Sequence, residues 1–248
     1  MILLLGGTSE TVQIAQALVT QGHEVLLSTA TTMPLRGQLP AGVRTRSGML
    51  DEQGMVNLIR DEKITAVVDA THPYAVAVSQ NTWKACQALG IRYVAYERPR
   101  AIDNPVHGVS THQAAAELAF SFGKPVLLTI GVRNLAPYVA EAHKRGLPMR
   151  ARVLNHPDSV TACHDAGLSD SEILCADGPF TVEENIKHLK SFGVLVTKDS
   201  GEAGGVDTKL EAARQCGCEV VVIERPSRPV PGYASIEALV QALSLGYG

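Results

Sequence analysis

Aromatic residues make up only 4% of this 248-residue chain and charged residues 19%, whereas 45% is hydrophobic, with many small aliphatics. A disordered tail lacks the apolar content to form a core, and a disulfide scaffold needs a higher density of cysteine, so both are excluded. The cysteines Cys86, Cys163, Cys175, Cys216 and Cys218 are odd in number and include no C-x-x-C. Neither a disulfide framework nor a zinc site is encouraged, no metal is expected, and a reducing cytoplasm is the expected setting. No stretch approaches the roughly 18 apolar residues of a membrane span. The run Met1-Ile2-Leu3-Leu4-Leu5 is too short for a signal peptide and has no basic residue before it. With 22 Lys and Arg against 25 Asp and Glu, the net charge of −3 offers no general attraction to nucleic acid or anionic lipid. Anionic ligands would have to be gathered by local clusters of Arg and Lys.

Short aliphatic runs alternate with segments of helical period, the pattern of parallel sheets wrapped by helices. Strands are expected at Ile2–Leu5, Glu24–Ser28, Val43–Arg46, Ala66–Asp69 and Arg92–Tyr96, with helices near Glu10–Gln21, Glu52–Asp61 and Ala75–Leu89. Two prolines within Arg98–Pro105 suit neither a helix nor an inner strand. A junction there divides the chain into residues 1–98, a dinucleotide-binding domain, and 99–248, a second domain completing a substrate cleft. After it, strands are expected at Pro125–Thr129, Met149–Leu154, Glu172–Cys175, Val194–Thr197 and Glu219–Ile223. Helices are expected near His112–Phe122, Ser159–Ala166, Val182–Phe192, Asp207–Cys216 and Ser235–Leu245. The fold class is therefore α/β, with two Rossmann-like doubly wound parallel sheets.

In the first half, Gly6-Gly7-Thr8-Ser9-Glu10 follows a strand and opens a helix. Glycines admit a phosphate to the backbone, and the helix N-terminus supplies N–H donors. Thr8 and Ser9 can cap the helix or meet a pyrophosphate. Thr8 and Thr11 stand where a G-x-G-x-x-G fingerprint has glycine, so the same string also serves as a tight turn. The second strand ends in Ser28-Thr29 and not in the acid that holds a ribose in NAD enzymes, which favours NADPH, with NADH the alternative. Ser28, Thr29 and Arg36 are the candidates for its 2′-phosphate. Asp69-Ala70-Thr71-His72-Pro73-Tyr74 lies at a strand's carboxyl end, where ligands of open α/β sheets collect. Asp69, Ala70 and Thr71 are placed with the cofactor; His72 and Tyr74 are candidate proton carriers. A rigid turn is the plainer use of the same residues.

In the second half, Thr197-Lys198-Asp199-Ser200-Gly201 leads through Gly204 and Gly205 to Lys209, a combination of hydroxyls, glycines and lysines suited to anions. Its spacing is not that of a Walker A loop. Thr129 and Gly131, and Gly178-Pro179-Phe180, end two further strands and are expected to point to the same substrate cleft. Arg225-Pro226 parallels Arg98-Pro99.

Taken in order, Gly6 through Glu10, Asp69 through Ala75, Gly178 through Phe180, Thr197 through Gly205 and Arg225-Pro226 resemble the precorrin-6A reductase family across nearly the whole chain. The resemblance implies an oxidoreductase of cobalamin biosynthesis that passes hydride from NADPH or NADH to a ring D double bond of precorrin-6A or cobalt-precorrin-6A. It also implies two Rossmann-like domains around a cleft. The substrate would be a tetrapyrrole with many carboxylates, for which Arg98, Arg133, Lys198, Lys209 and Arg225 are candidate grips. His72, Tyr74 and Lys198 are the candidate proton sources, with solvent as the alternative. A monomer without nucleic-acid or membrane partners is expected. Two other readings remain: a different NAD(P)-dependent reductase or epimerase, against which no Tyr-x-x-x-Lys pair occurs, and a dinucleotide-sensing regulator that uses the fold without chemistry.

Overall fold

The computed structural model describes residues 1–32, 35, 37–98, 107–200 and 205–244. Arg36, Gly201 and Gly204 lie outside the described residues. The chain runs β1 (Ile2–Leu5), α1 (Thr11–Thr20), β2 (Val25–Thr29), β3 (Arg44–Ser47), α2 (Glu52–Asp61), β4 (Ala66–Asp69), α3 (Val76–Leu89) and β5 (Arg92–Tyr96). It continues with β6 (His107–Val109), α4 (His112–Ser121), β7 (Val126–Leu128), α5 (Ala136–Arg145), β8 (Met149–Val153), α6 (Pro157–Asp165) and β9 (Ile173–Cys175). Last come α7 (Val182–Leu189), β10 (Val194–Lys198), α8 (Val206–Cys216), β11 (Glu219–Ile223), β12 (Gly232–Tyr233) and α9 (Ile236–Ser244).

Two compact units result, Met1–Pro99 together with Pro226–Gly248, and Arg100–Arg225. The sequence-based division assigned all of 99–248 to the second unit. The structure differs in returning the tail to the first: Gly232 and Tyr233 pair with Ala95 and Tyr96, and α9 sinks Leu239 and Val240 into the core beneath α1. A two-residue strand carries no periodicity, so only this long-range pairing marks it.

In the first unit the strand order is β3-β2-β1-β4-β5-β12, all parallel, which is the 3-2-1-4-5-6 order of dinucleotide-binding folds with β12 as sixth strand. Helices cover both faces, so β1 is apolar without alternation. Ile2 and Leu4 join the core under α1 and α9, whereas Leu3 and Leu5 pack against Met55, Ile59 and Cys86 from α2 and α3. Gly90, left-handed at φ 64°, ends α3, a conformation that favours glycine.

The second unit reads β9-β8-β7-β10-β11-β6, again 3-2-1-4-5 followed by a sixth parallel strand, here β6. Leu127, Leu195 and Val222 bury against α7 and α8. Neither β6 nor α5 was among the expected elements. Pro137 lies in the first turn of α5, where its missing N–H costs nothing, so the proline that hides this helix from pattern reading is compatible with it. The chain order reverses between β1 and β4 in the first unit and between β7 and β10 in the second, and the carboxyl ends of these strands are where each unit builds a site.

Leu239 is fully buried. If the tail is part of the first unit's core, Leu239→Ala should lower stability by about 2–5 kcal/mol. A urea midpoint unchanged by this substitution would show that α9 is dispensable.

Candidate functional site

At the switch point of the first unit, the β1–α1 turn is shaped by Gly6 and Thr11. A Cβ on Gly6 would stand 2.6 Å from Thr11 Cγ2 and 2.7 Å from Leu27 Cδ1, so nothing larger fits without moving α1. Gly7 has φ 103° and open space where a side chain would project. Thr11 Oγ1 accepts from the N–H groups of both Gly7 and Thr8, at 3.0 Å each, which closes the turn. The threonine that departs from the glycine fingerprint thus has a structural use. It takes two amides a phosphate would otherwise meet, while the N–H group of Ser9 has no acceptor among the described residues. Thr8 Oγ1 donates to Ala70 O at 2.9 Å and ties this turn to the end of β4.

Arg98, expected to face substrate, is instead bound to the turn. Its Nη2 donates to Glu10 Oε2 at 2.5 Å and to Ser9 Oγ at 3.1 Å, in a largely buried ion pair. Burial alone would raise the Glu10 pKa, but the hydrogen bond and charge of Arg98 and the Ser9 hydroxyl hold it below the usual carboxylate range. The carboxylate near the start of α1 is thereby neutralised.

Asp69, at the end of β4, is fully buried. Its Oδ1 accepts from Thr71 N (2.9 Å) and Thr71 Oγ1 (2.6 Å), and its Oδ2 from Ser79 Oγ, Tyr93 OH and Arg228 Nη1 at 2.5, 2.5 and 3.1 Å. Arg228 also donates to Thr71 O at 2.9 Å. Asp69 and Thr71, expected at the cofactor, spend these groups on each other and on the returning tail. Burial, then the Asp69 charge, pushes the Tyr93 hydroxyl well above its ordinary pKa, so it stays a donor.

This fixed turn carries His72 and Tyr74. His72 is exposed, its ring 5.5 Å from that of Tyr74, and its Nδ1 accepts from Tyr74 N at 3.3 Å. An Nδ1 that accepts leaves the ring proton on Nε2. At the end of β2, Ser28 is nearly buried and its Oγ accepts from Arg46 Nη1 at 2.6 Å. Thr29 Oγ1 is taken up by Thr31 O at 2.7 Å.

In the second unit, the corresponding switch point lies between Thr129 and Lys198. Both Thr129 N and Thr129 Oγ1 donate to Val196 O, at 2.9 and 3.0 Å, so this side chain closes the strand end. Gly131 follows with φ 78°. Burial, then the charge of Arg133, lowers the Lys198 pKa, and Lys198 in turn acts on His112. His112 makes a 3.0 Å hydrogen bond to the buried Tyr138 hydroxyl, and burial, then Lys198, lowers its pKa to about 4. Lys198 and Arg133 thus form one electropositive pair, and their charge helps to keep the adjacent His112 neutral.

A second such group surrounds Arg152 at the end of β8. Its guanidinium stacks 4.2 Å above the Phe180 ring, donates to Asn185 Oδ1 at 2.7 Å and lies 3.0 Å from His188 Nδ1. Arg152 is 7% exposed and has no carboxylate partner among the described residues. Burial lowers its pKa to about 10, and burial with the Arg152 charge lowers that of Lys209 to about 8. Gly178 and Pro179, joined by a cis peptide bond, precede the stacked Phe180, and Gly205, left-handed at φ 64°, caps the helix that carries Lys209. Asp199 and Arg225, by contrast, are paired: Arg225 donates to Asp199 Oδ1 at 3.1 Å and to Asp199 O at 2.9 Å, both side chains buried. Ser200 is folded back, its N–H donating to Lys198 O at 2.8 Å. Arg46, Arg152, Arg228 and His112 escaped the sequence reading. An arginine inside the apolar run Met149–Val153 was the legible signal for Arg152.

Two outcomes test these assignments. Asp69→Asn, which leaves Arg228 facing a neutral amide in a buried site, should cost about 3–5 kcal/mol in urea unfolding. His112 stays neutral in the fold down to about pH 4 whereas the unfolded chain takes up its proton near 6.5, so acidification favours unfolding. Stability should fall as pH drops from about 6.5 to about 4, and His112→Gln should flatten that fall; identical pH profiles would contradict the shift.

A family model described as "Precorrin-6x reductase CbiJ/CobK" matches residues 1–244. The "Cobalt-precorrin-6A reductase" of Priestia megaterium is 34% identical, with 98% of each chain covered. The "Precorrin-6A reductase" of Rhodobacter capsulatus is 33% identical over 92% of this chain and 89% of its own. Among solved structures, "CobK precorrin-6A reductase" aligns with a TM-score of 0.77 at 29% identity, over 98% of this chain and 95% of that one.

Proposed function

This chain belongs to the precorrin-6x reductase family, and on that premise we propose that it reduces a ring D double bond of precorrin-6A or cobalt-precorrin-6A to the 6B form, with NADPH preferred over NADH. It is an oxidoreductase of cobalamin biosynthesis with two Rossmann-like domains. Among the described residues no helix is long and apolar enough to cross a membrane. The five free thiols fit a reducing, cytoplasmic setting, and the enzyme is taken to act as a monomer.

The observation that carries the substrate class is Arg152. A buried guanidinium with no described carboxylate partner is costly unless an anion completes it. With Lys209 close enough to feel its charge, and with Lys198 and Arg133 at the neighbouring strand ends, the second unit suits a ligand bearing several carboxylates. These four replace the larger expected set: Arg98 and Arg225 are committed to Glu10 and Asp199 and act by holding loops.

The first unit fits the dinucleotide. Open space over Gly7, the N–H group of Ser9, and the neutralised Glu10 carboxylate suit a pyrophosphate at the start of α1. When bound, the nicotinamide supplies the hydride, and a proton is needed at the neighbouring carbon. His72 presents its Nε2 proton from a turn that Asp69 holds rigid, and Tyr74 supports the ring. Lys198, its pKa lowered by burial and then by the charge of Arg133, is the other candidate acid.

Anaerobic assay with metal-free and cobalt-containing precorrin-6A should couple cofactor oxidation to a spectral change in the tetrapyrrole. Tight cofactor binding with neither substrate reduced would favour a sensor or another reductase. His72→Asn keeps an acceptor for Tyr74 N but removes the proton; it should lower kcat by roughly 10²-fold, the scale of general acid catalysis, at unchanged cofactor affinity. Wild-type kcat in that variant would pass the role to Lys198 or solvent.

A further inference from the structure

Strand β3 carries two arginines on alternate positions, and the structure treats them differently. Arg44 is neutralised, its Nη1 and Nη2 donating to the two oxygens of Glu62 at 2.8 and 3.0 Å. Arg46 has no carboxylate partner among the described residues. Its Nη1 donates to Ser28 Oγ at 2.6 Å and its Nη2 to Ser47 O at 3.1 Å. In the sheet register Ser28 is the direct partner of Arg46, so the guanidinium lies beside the carboxyl end of β2. In this fold, that strand end is where the adenine-side ribose of a dinucleotide is recognised, by an acid when the ribose carries a hydroxyl. Here the position holds a nearly buried serine that orients a cation.

The surroundings preserve that cation for a ligand. Gly48 N donates to Thr29 O at 3.0 Å, joining the ends of β2 and β3. Gly48 has φ 111°, and a Cβ there would stand 3.5 Å from Arg46 Nη2, so the glycine leaves this side of the guanidinium without a side chain. Arg46 is partly exposed, as a side chain that meets a diffusing ligand must be. A planar cation anchored by one N–H of Nη1 on a hydroxyl and one of Nη2 on a strand carbonyl is oriented for a phosphate, to which its remaining N–H donors can make charge-assisted hydrogen bonds.

We propose that Arg46, seated on the Ser28 hydroxyl, binds the 2′-phosphate of the adenine-side ribose and makes the first unit selective for NADPH over NADH. This rests on the reading of the first unit as the dinucleotide site. It replaces the triad expected from sequence: of Ser28, Thr29 and Arg36, Ser28 serves as the seat, Thr29 is turned to Thr31, and Arg36 lies outside the described residues.

The test is fluorescence titration of the full chain with NADPH and NADH at low and high salt, with 2′,5′-ADP and 5′-AMP as competitors. Wild type should prefer NADPH, lose much of that preference at high salt, and be displaced better by 2′,5′-ADP than by 5′-AMP. Arg46→Leu, on an exposed edge strand, should weaken NADPH by about 10- to 100-fold, the scale of one charge-assisted hydrogen bond, and leave NADH within about threefold. Ser28→Asp, which pairs Arg46 and repels a phosphate, should reverse the preference. A wild type that does not discriminate, or an Arg46→Leu variant that keeps its preference or weakens both cofactors equally, overturns the role of Arg46 while leaving the dinucleotide reading intact. A wild type that binds neither cofactor overturns both. The competitor comparison uses unaltered protein, so equal displacement by 2′,5′-ADP and 5′-AMP overturns the proposal even if a variant misfolds.

Discussion

The carboxylate of Asp69 organises the first unit. It is fully buried and would be intolerable alone, yet five donors from Thr71, Ser79, Tyr93 and Arg228 converge on its two oxygens. Those donors come from the β4–α3 turn, from α3, from β5 and from the segment leading into β12. One buried charge therefore sets the turn that carries His72 and docks the end of the chain onto the first sheet. Such a network favours a single arrangement, because a partial set of bonds would leave a charge unsatisfied in a low-dielectric interior. A carboxylate at the end of β4 in this fold invites assignment to a cofactor; its surroundings make it a fastening.

The cations separate by the same logic. Arg98 and Arg225 follow matching positions in the two units and each closes on a carboxylate, the partly buried Glu10 and the buried Asp199. Arg46 and Arg152 have no such partner among the described residues and sit at the carboxyl ends of β3 and β8, beside or under polar side chains that aim them. An acidic protein that handles anionic ligands cannot rely on its overall field. Here Arg46 and Arg152 stand at strand ends without a described carboxylate partner, whereas Arg98, Arg225 and Arg228 are paired.

Most of the architecture was legible because both sheets are buried on two faces. That constraint writes β1, β4, β7, β10 and β11 as aliphatic runs, and the expected spans match the observed strands within a residue or so at each end. What escaped depends on pairing, not pattern. β6 and β12 are three and two residues long, and α5 begins across a proline. The candidate site was legible as a set of strand-end motifs, with Gly6 through Glu10, the Asp69 turn and Lys198 all found at carboxyl ends. Whether a charge at such an end is spent or available depends on a partner distant in sequence. Arg98 and Glu10 are one case, Arg228 and Asp69 another, and no local pattern records them.

The placement of β12 bears on how the molecule is made. The second unit is one contiguous stretch of chain, whereas the first contains both residues 1–99 and 226–248. During synthesis the first unit emerges early but cannot finish its sheet: the open edge at β5 waits for Gly232 and Tyr233, and the Asp69 carboxylate waits for Arg228. The intervening unit has all its strands in hand sooner. Although domains generally fold in the order they leave the ribosome, here the unit that begins first completes last, and the unpaired flank of β5 is the surface a nascent chain must keep from wrong partners meanwhile.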